Sequence, residues 1–391
     1  RRSSDLPIPV TASIYQRLTL SDEVVVVLTG HAGDGKSTIA LDILKTLMGV
    51  KLSEPLGRPP YPIEEIPYQG KSINVVKDMS EHTAAERLEK FKDALSAGTG
   101  SWLIVSNTGP LLNTLVEVDA KVERKVLALL DRPISEALHD ESHLIDGFEK
   151  PIFVANLSKL DNVQTAVSVL RKIVDHPSWS GCTSCQRRSH CAITKNVECV
   201  RESPHLVQRV TWLYRLLTSY ERRLTMRQMT AHLAYSITGG HECAKVDDLV
   251  DQYGASELLR MSLFSELFFG YSDAKLSPTA RSLYCVKHLS SLVSEGRTRP
   301  SVELPLYAAI QPVAPVSETA RPIFEYWHTS SGGTTADFAS RAALRRLLFM
   351  FGKSTDNNKD WWQRFVEDFT NSPMLTKWEE WTRGGVLPSS A

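Results

Sequence analysis

From residue 24 the chain reads Val-Val-Val-Val-Leu, an apolar run with no polar interruption. A β-branched run with no solvent side predicts a strand buried on both faces, as in a parallel sheet. "SINVV" (72–76), "SWLIVSN" (101–107) and "PIFVANL" (151–157) repeat the signal. Helical spacing fills the gaps. Ile39, Leu41, Ile43, Leu44 and Leu47 lead to a stop at Gly49, and Ala84, Leu88, Phe91 and Leu95 line one face of a helix over 83–96. A charged helical stretch covers 117–139, and Val163, Ala166, Val167, Leu170 and Ile173 mark another helix. Strands alternating with helices predict an α/β fold around a parallel sheet. Two segments resist the pattern. Residues 1–21 read as an arm, and 49–70, with Pro55, Pro59, Pro60, Pro62 and Pro67, read as an irregular excursion where a second strand is expected.

After about residue 175 the strand signal fades. Leu206, Val210, Leu213 and Leu217 predict a helix over 205–218. Thr225 and Gln228 have capping-box spacing ahead of Met229, Leu233 and Ile237, and Gly239-Gly240 ends that helix. Residues 255–391 read as mostly helical and aromatic-rich, with Trp361, Trp362, Trp378 and Trp381. The expected organisation is an arm (1–21), an α/β core (22–180), a cysteine-bearing helical lid (181–254) and a helical C-terminal domain (255–391).

Composition narrows the classes. Of 391 residues, 42% are apolar and 23% charged, and Lys+Arg equals Asp+Glu at 45 each, which argues against a strongly basic nucleic-acid clamp. No apolar run has the length of a membrane span, and no signal peptide opens the sequence, so a cytoplasmic protein without membrane attachment is expected.

Candidate chemistry begins where the first strand ends. "GHAGDGKS" (30–37) fits G-x-x-x-x-G-K-[ST] at every fixed position, between a buried strand and a helix. Such a loop curls its backbone N–H groups onto phosphate oxygens and adds the positive end of a helix. Gly30, Ala32, Gly33, Asp34, Gly35, Lys36, Ser37 and Thr38 are thus expected to bind ATP, with Lys36 on the β- and γ-phosphates and Ser37 on Mg²⁺. A carboxylate at the end of a neighbouring strand is expected to share the metal, and Asp78 is the candidate. Glu81 is the candidate water-polarising base, although Asp78 and Glu81 also have the spacing of a helix cap. Asn107 ends the next strand and is placed to touch the γ-phosphate or the lytic water; Gly109 and Pro110 make a turn residue the competing reading. Arg227 puts a positive charge in the first turn of a capped helix, unfavourable there unless an anion or solvent receives it.

Of six cysteines, Cys182, Cys185 and Cys191 form C-x2-C-x5-C, the spacing of a metal knuckle. Cys243, just beyond the double glycine, is the favoured fourth ligand, with Cys199, His190 and His241 as rivals. Zn²⁺ is the first choice and an iron–sulfur cluster the second. Cys285 reads as a buried core residue. Arg209, Arg215, Arg222 and Arg223 line either a DNA path or a solvated helix face, the second being the better reading.

Taken in order, "GHAGDGKS", "VVKDMSE", "LIVSNTGPLL", "FVANLSKLDN", the cysteine cluster and "LTMRQMTAHLAYSITGGHEC" resemble the ATPase subunit of bacterial phosphorothioate-dependent restriction systems, the DptF family, over roughly residues 24–250. The resemblance implies an AAA+/STAND-like P-loop NTPase with a helical lid, in which Lys36 and Ser37 match the phosphate loop, Asp78 the metal carboxylate, Asn107 a first sensor and Arg227 a second. It further implies a defence complex with nuclease or helicase partners acting against invading DNA; beside it, a homo-oligomer in which a neighbour donates an arginine to the γ-phosphate is an open expectation, with Arg124 and Arg132 as candidates that nothing separates, and direct contact with DNA is left open. The sequence departs from the family at 49–70, where the second strand is obscured. A slowly turning-over assembly switch or scaffold is the alternative; a P-loop kinase finds no phosphoacceptor motif.

Overall fold

The computed structural model describes residues 9–20, 22–139, 144–219, 223–270, 282–295, 317–325, 343, 346–347 and 350–351. The chain divides into two compact units, Arg1–Asn162 with Thr225–Arg227, and Val163–Leu224 with Gln228–Ala391.

The first unit is built on five strands, β1 (Val25–Thr29), β2 (Ile63–Tyr68), β3 (Lys71–Val76), β4 (Ser101–Val105) and β5 (Ile152–Asn156), in the order β2-β3-β4-β1-β5. β1 pairs in parallel with β4 and β5, and β3 with β4; only β2 runs antiparallel, against β3. Every residue of β1, β4 and β5 is buried, as their unbroken apolar runs require. Alternate residues feed two cores. Val26, Leu28, Leu103 and Phe153 pack with helices α1 (Pro9–Thr19) and α2 (Lys36–Leu47). Val25, Val27, Ile104 and Val154 pack with α3 (Ala84–Leu95), α4 (Thr108–Val118) and α5 (Ala120–Leu130). A short helix, α6 (Ile134–His139), lies beside β5. The result is a mixed α/β unit with a mostly parallel sheet covered on both faces.

Both segments that resisted the sequence pattern carry regular structure among their described residues. The expected arm carries α1, with Ile14 and Leu18 fully buried, because Val10, Ile14 and Leu18 recur at the four-residue spacing of one helix face. The Pro-rich excursion carries β2; its Pro67 is tolerated because β2 is an edge strand. Gln69 (φ 47°) and Gly70 (φ 86°) close a two-residue hairpin onto β3.

At their N-terminal ends the parallel strands are tied together. Lys150 is buried and donates to Thr99 Oγ1 (2.6 Å) and the Gly100 carbonyl (2.7 Å), and pairs with Glu23 at 2.9 Å. The Glu23 carboxylate also accepts from the N–H groups of Gly98 (3.1 Å) and Gly100 (3.0 Å). Burial alone would raise the Glu23 carboxyl, but Lys150 and these two N–H groups outweigh it and hold it below its usual value. Ser101 Oγ accepts from Val24 N–H at 3.3 Å, and Lys71 reaches the carbonyl of Asp22 at 3.4 Å.

The second unit is helical where described: α7 (Asn162–Val174, all but its first residue), α8 (Ala192–Glu202), α9 (Leu206–Ser219), α10 (Met226–Thr238, from Gln228 on), α11 (Val246–Tyr253), α12 (Ala255–Met261), α13 (Phe264–Phe269) and α14 (Tyr284–Glu295). Its centre is satisfied polar as well as apolar. Asn196, fully buried, donates to the carbonyls of Ile237 (2.9 Å) and Ser262 (2.7 Å) and accepts from Phe264 N–H (2.7 Å). His232 lies between the Tyr214 hydroxyl (2.9 Å) and the Phe268 carbonyl (2.9 Å). Arg346 and Glu266, each about 6% exposed, form a two-point ion pair at 2.9 and 2.5 Å. The tryptophans at 361, 362, 378 and 381 lie outside the described residues.

Among the described residues no helix is long and apolar enough to cross a membrane.

Candidate functional site

The site begins at the central strand. The chain visits β3 and β4 on one side of β1, then crosses to β5 on the other, so order reverses at β1. In an open parallel sheet, ligands bind beyond the carboxyl ends of the strands at such a reversal. The loop Gly30–Gly35 leaves β1 there, and α2 starts at Lys36.

Three positive φ angles shape the loop, at Gly30 (148°), Gly33 (91°) and Gly35 (96°). Backbone of this form turns successive N–H groups toward one point, and α2 adds its positive end, with no side chain capping it. Asp34 is buried and braces the loop from within, accepting the His31 N–H at 2.8 Å. Lys36 is only 6% exposed, and its ammonium folds over the loop to donate to the carbonyls of His31 (2.7 Å) and Gly30 (3.2 Å). Ala32 and Ser37 are exposed and Thr38 is half-buried. These residues fit a bound polyphosphate: a glycine-formed cradle, a lysine stationed on it and a hydroxyl at the helix start.

A segment almost two hundred positions along the chain seats itself on this loop. The N–H of Arg227 donates to the Gly33 carbonyl at 3.1 Å. A Cβ added at Gly33 would stand 2.9 Å from the Arg227 Cβ and 3.2 Å from the Thr225 hydroxyl, so only glycine admits the approach. Arg227, nominated from its odd charge, is thereby beside the loop, with its side chain exposed. Thr225, nominated only as a helix cap, is there too.

The other candidates stand at different removes. Asn107 follows β4, the strand paired with β1, and starts α4 without using its side chain as a cap. The Thr29 and Thr108 hydroxyls join the ends of these two strands at 3.3 Å. Thr108 had no signal in the sequence beyond standing next to Asn107. Asp78 follows β3, which β4 separates from β1; the expectation of an adjacent strand is corrected to the next but one. Its Oδ1 accepts from the N–H (2.9 Å) and hydroxyl (2.6 Å) of Ser80, capping the short 3₁₀ turn Met79–Glu81. Glu81 is exposed and pairs with Lys77 at 3.3 Å. Arg124 and Arg132 are exposed.

All four nominated cysteines belong to the second unit, and all six cysteines are free thiols. Among the described residues no group of three or more His, Cys, Asp or Glu side chains stands at metal-ligating spacing. Arg209 fits neither reading made for it: it is 2% exposed and donates to the Met350 carbonyl at 2.9 Å. Burial pushes its guanidinium down to about 9. Arg215 is exposed and Arg223 half-buried, while Arg222 lies outside the described residues.

Compared with protein-family models, curated proteins and solved structures, the chain matches none.

Proposed function

We propose that the first unit binds ATP with Mg²⁺ and hydrolyses it. One observation carries the reading: the Gly30–Gly35 loop, with its stationed Lys36, leaves the central strand at the reversal point of a parallel sheet. In this reading the loop N–H groups and Lys36 hold the phosphates, Ser37 and Asp78 hold the metal, and Asn107 and Arg227 face the γ-phosphate. Magnesium, when bound, supplies charge neutralisation on the phosphate oxygens. Lys36→Ala should abolish turnover and weaken ATP binding by at least tenfold; unchanged hydrolysis and affinity in that variant refute the site.

The resemblance to the phosphorothioate-restriction ATPases supports a role in a bacterial defence complex, with hydrolysis coupled to DNA sensing or restriction through a nuclease or helicase partner and an AAA+/STAND-like lid. Its test is whether DNA stimulates the ATPase and whether such a subunit co-purifies. Neither result would leave the nucleotide site as the whole of the proposal.

A second reading is favoured by the placement of the acidic residues. Asp78 caps its own turn through Oδ1, and Glu81 pairs with Lys77 at the surface, which suits a slow switch or assembly scaffold better than a fast enzyme. Tight ATP binding with turnover near zero, unmoved by DNA, selects it.

A further inference from the structure

The segment Pro177–His190 raises a problem of stability. It is ordered as a 3₁₀ run, Pro177–Ser184, followed by turns, yet none of its fourteen residues is buried. A stretch that adds nothing to an apolar core does not offset its own ordering entropy, and small core-less segments are commonly held by a disulfide or a metal. None of the six cysteines is disulfide-bonded.

Two cysteines lie within the segment and a third follows it. The Cys185 N–H donates to the Cys182 carbonyl at 3.3 Å and the Arg188 N–H to the Cys185 carbonyl at 3.1 Å, so both cysteines lie on consecutive tight turns. Cys191 follows at the N-cap of α8. The chain just beyond Cys243 is drawn to the same place: Asp247 accepts from Arg187 at 2.5 Å and faces the His190 ring at 3.5 Å.

We infer that Cys182, Cys185, Cys191 and Cys243 form a structural zinc site that pins the Pro177–His190 segment to the chain entering α11. Four thiolates and no other ligand suit zinc in a closed tetrahedral site, and soft sulfur donors select it over the alkaline-earth ions. The four sulfurs do not stand at ligating spacing, so binding would contract the turns, which have no buried side chain to resist it. Cys243 is preferred to Cys199, whose thiol is fully buried, because the contacts of Asp247 with Arg187 and His190 draw the chain after Cys243 onto the segment. The inference is independent of the nucleotide reading.

The test is the metal content of the full chain purified without chelator, followed by cobalt substitution. About one zinc per chain is expected. The Cys182→Ser/Cys185→Ser double variant should lose about tenfold of it, and Cys285→Ser should keep it. Should the double variant fail to fold, cobalt in the unaltered chain decides: a thiolate-to-cobalt charge-transfer spectrum is expected, altered by Cys243→Ser and unaltered by His241→Ala. Absence of both zinc and that spectrum overturns the site. Bound iron with a sulfide chromophore overturns the choice of zinc, and a spectrum moved by His241→Ala instead of Cys243→Ser overturns the fourth ligand.

Discussion

Gly33 carries a double requirement, a left-handed φ of 91° and room for the Arg227 backbone. Gly33→Ala meets neither, and the loop must shift to admit a methyl. ATP affinity in that variant should fall by about tenfold or more, with circular dichroism unchanged; undiminished affinity would show that the Gly33–Arg227 approach is dispensable. His232 poses a different test. The Phe268 carbonyl can only accept, so Nε2 carries the proton and Nδ1 receives the Tyr214 hydroxyl, fixing a neutral ring. Burial pulls this histidine down to about 4 from 6.5. A ring that resists protonation when folded binds fewer protons than its unfolded counterpart between these values. Stability is therefore full above pH 6.5, falls as pH drops toward 4 by a few kcal/mol, and levels off below. Urea unfolding across that window should show the slope, and His232→Gln should flatten it.

At the scale of elements, the sequence was legible where one force dominated. The runs in β1, β4 and β5 are apolar because both faces of the sheet are covered, and the runs alone sufficed to find them. β2 was missed because its signal is mixed: prolines surround it, and Glu64, buried, is neutralised by a two-point pair with Arg58 at 2.6 and 2.7 Å. The hairpin pair Gln69-Gly70 was the cue available. α1 was missed because three apolar residues among prolines looked too few, though their spacing was right. The glycine loop Gly30–Gly35 was legible as a motif, whereas the seat of Thr225–Arg227 on Gly33 depends on a contact between distant parts of the chain that no local pattern encodes. In the helical unit, α13 is fixed by Glu266, whose partner Arg346 stands eighty positions away and is equally hidden from solvent. Arg346→Met should lower the free energy of unfolding by about 3–5 kcal/mol, because it strands a buried carboxylate. Glu266→Leu with Arg346→Met should recover most of that loss in the same urea titration. A single variant no weaker than the parent would remove the pair from the stability of α13.

For the molecule as a whole, the two ends of the parallel sheet are built differently. Where the strands begin, Lys150 and Glu23 gather Thr99, Gly98 and Gly100, and Ser101 takes the Val24 N–H. Because the Glu23 carboxyl is held below its usual value, its bonds to Lys150 and to the N–H groups of Gly98 and Gly100 contribute fully above pH 4.5 and are lost as pH falls through the lowered value. Lys150→Met should speed hydrogen exchange at Gly98 and Gly100 by at least tenfold, leaving amides of the Gly30–Gly35 loop unchanged; uniform acceleration would mean that Lys150 supports the whole unit evenly.

Where the same strands end, the side-chain links are lighter, a hydroxyl pair between Thr29 and Thr108 and the Asn156 amide donating to the Leu130 carbonyl at 3.0 Å, beside the Ser106 N–H on the Leu28 carbonyl at 3.1 Å. The sheet is thus a cantilever, gripped at the root and loaded at the tip. Bending amplitude grows toward a free tip, so mild denaturant should erase the proposed ATP binding at the loops while the rooted strands still hold their backbone bonds. Loss of binding and loss of fold become separable events, with the gap between their midpoints measuring the stiffness of the root.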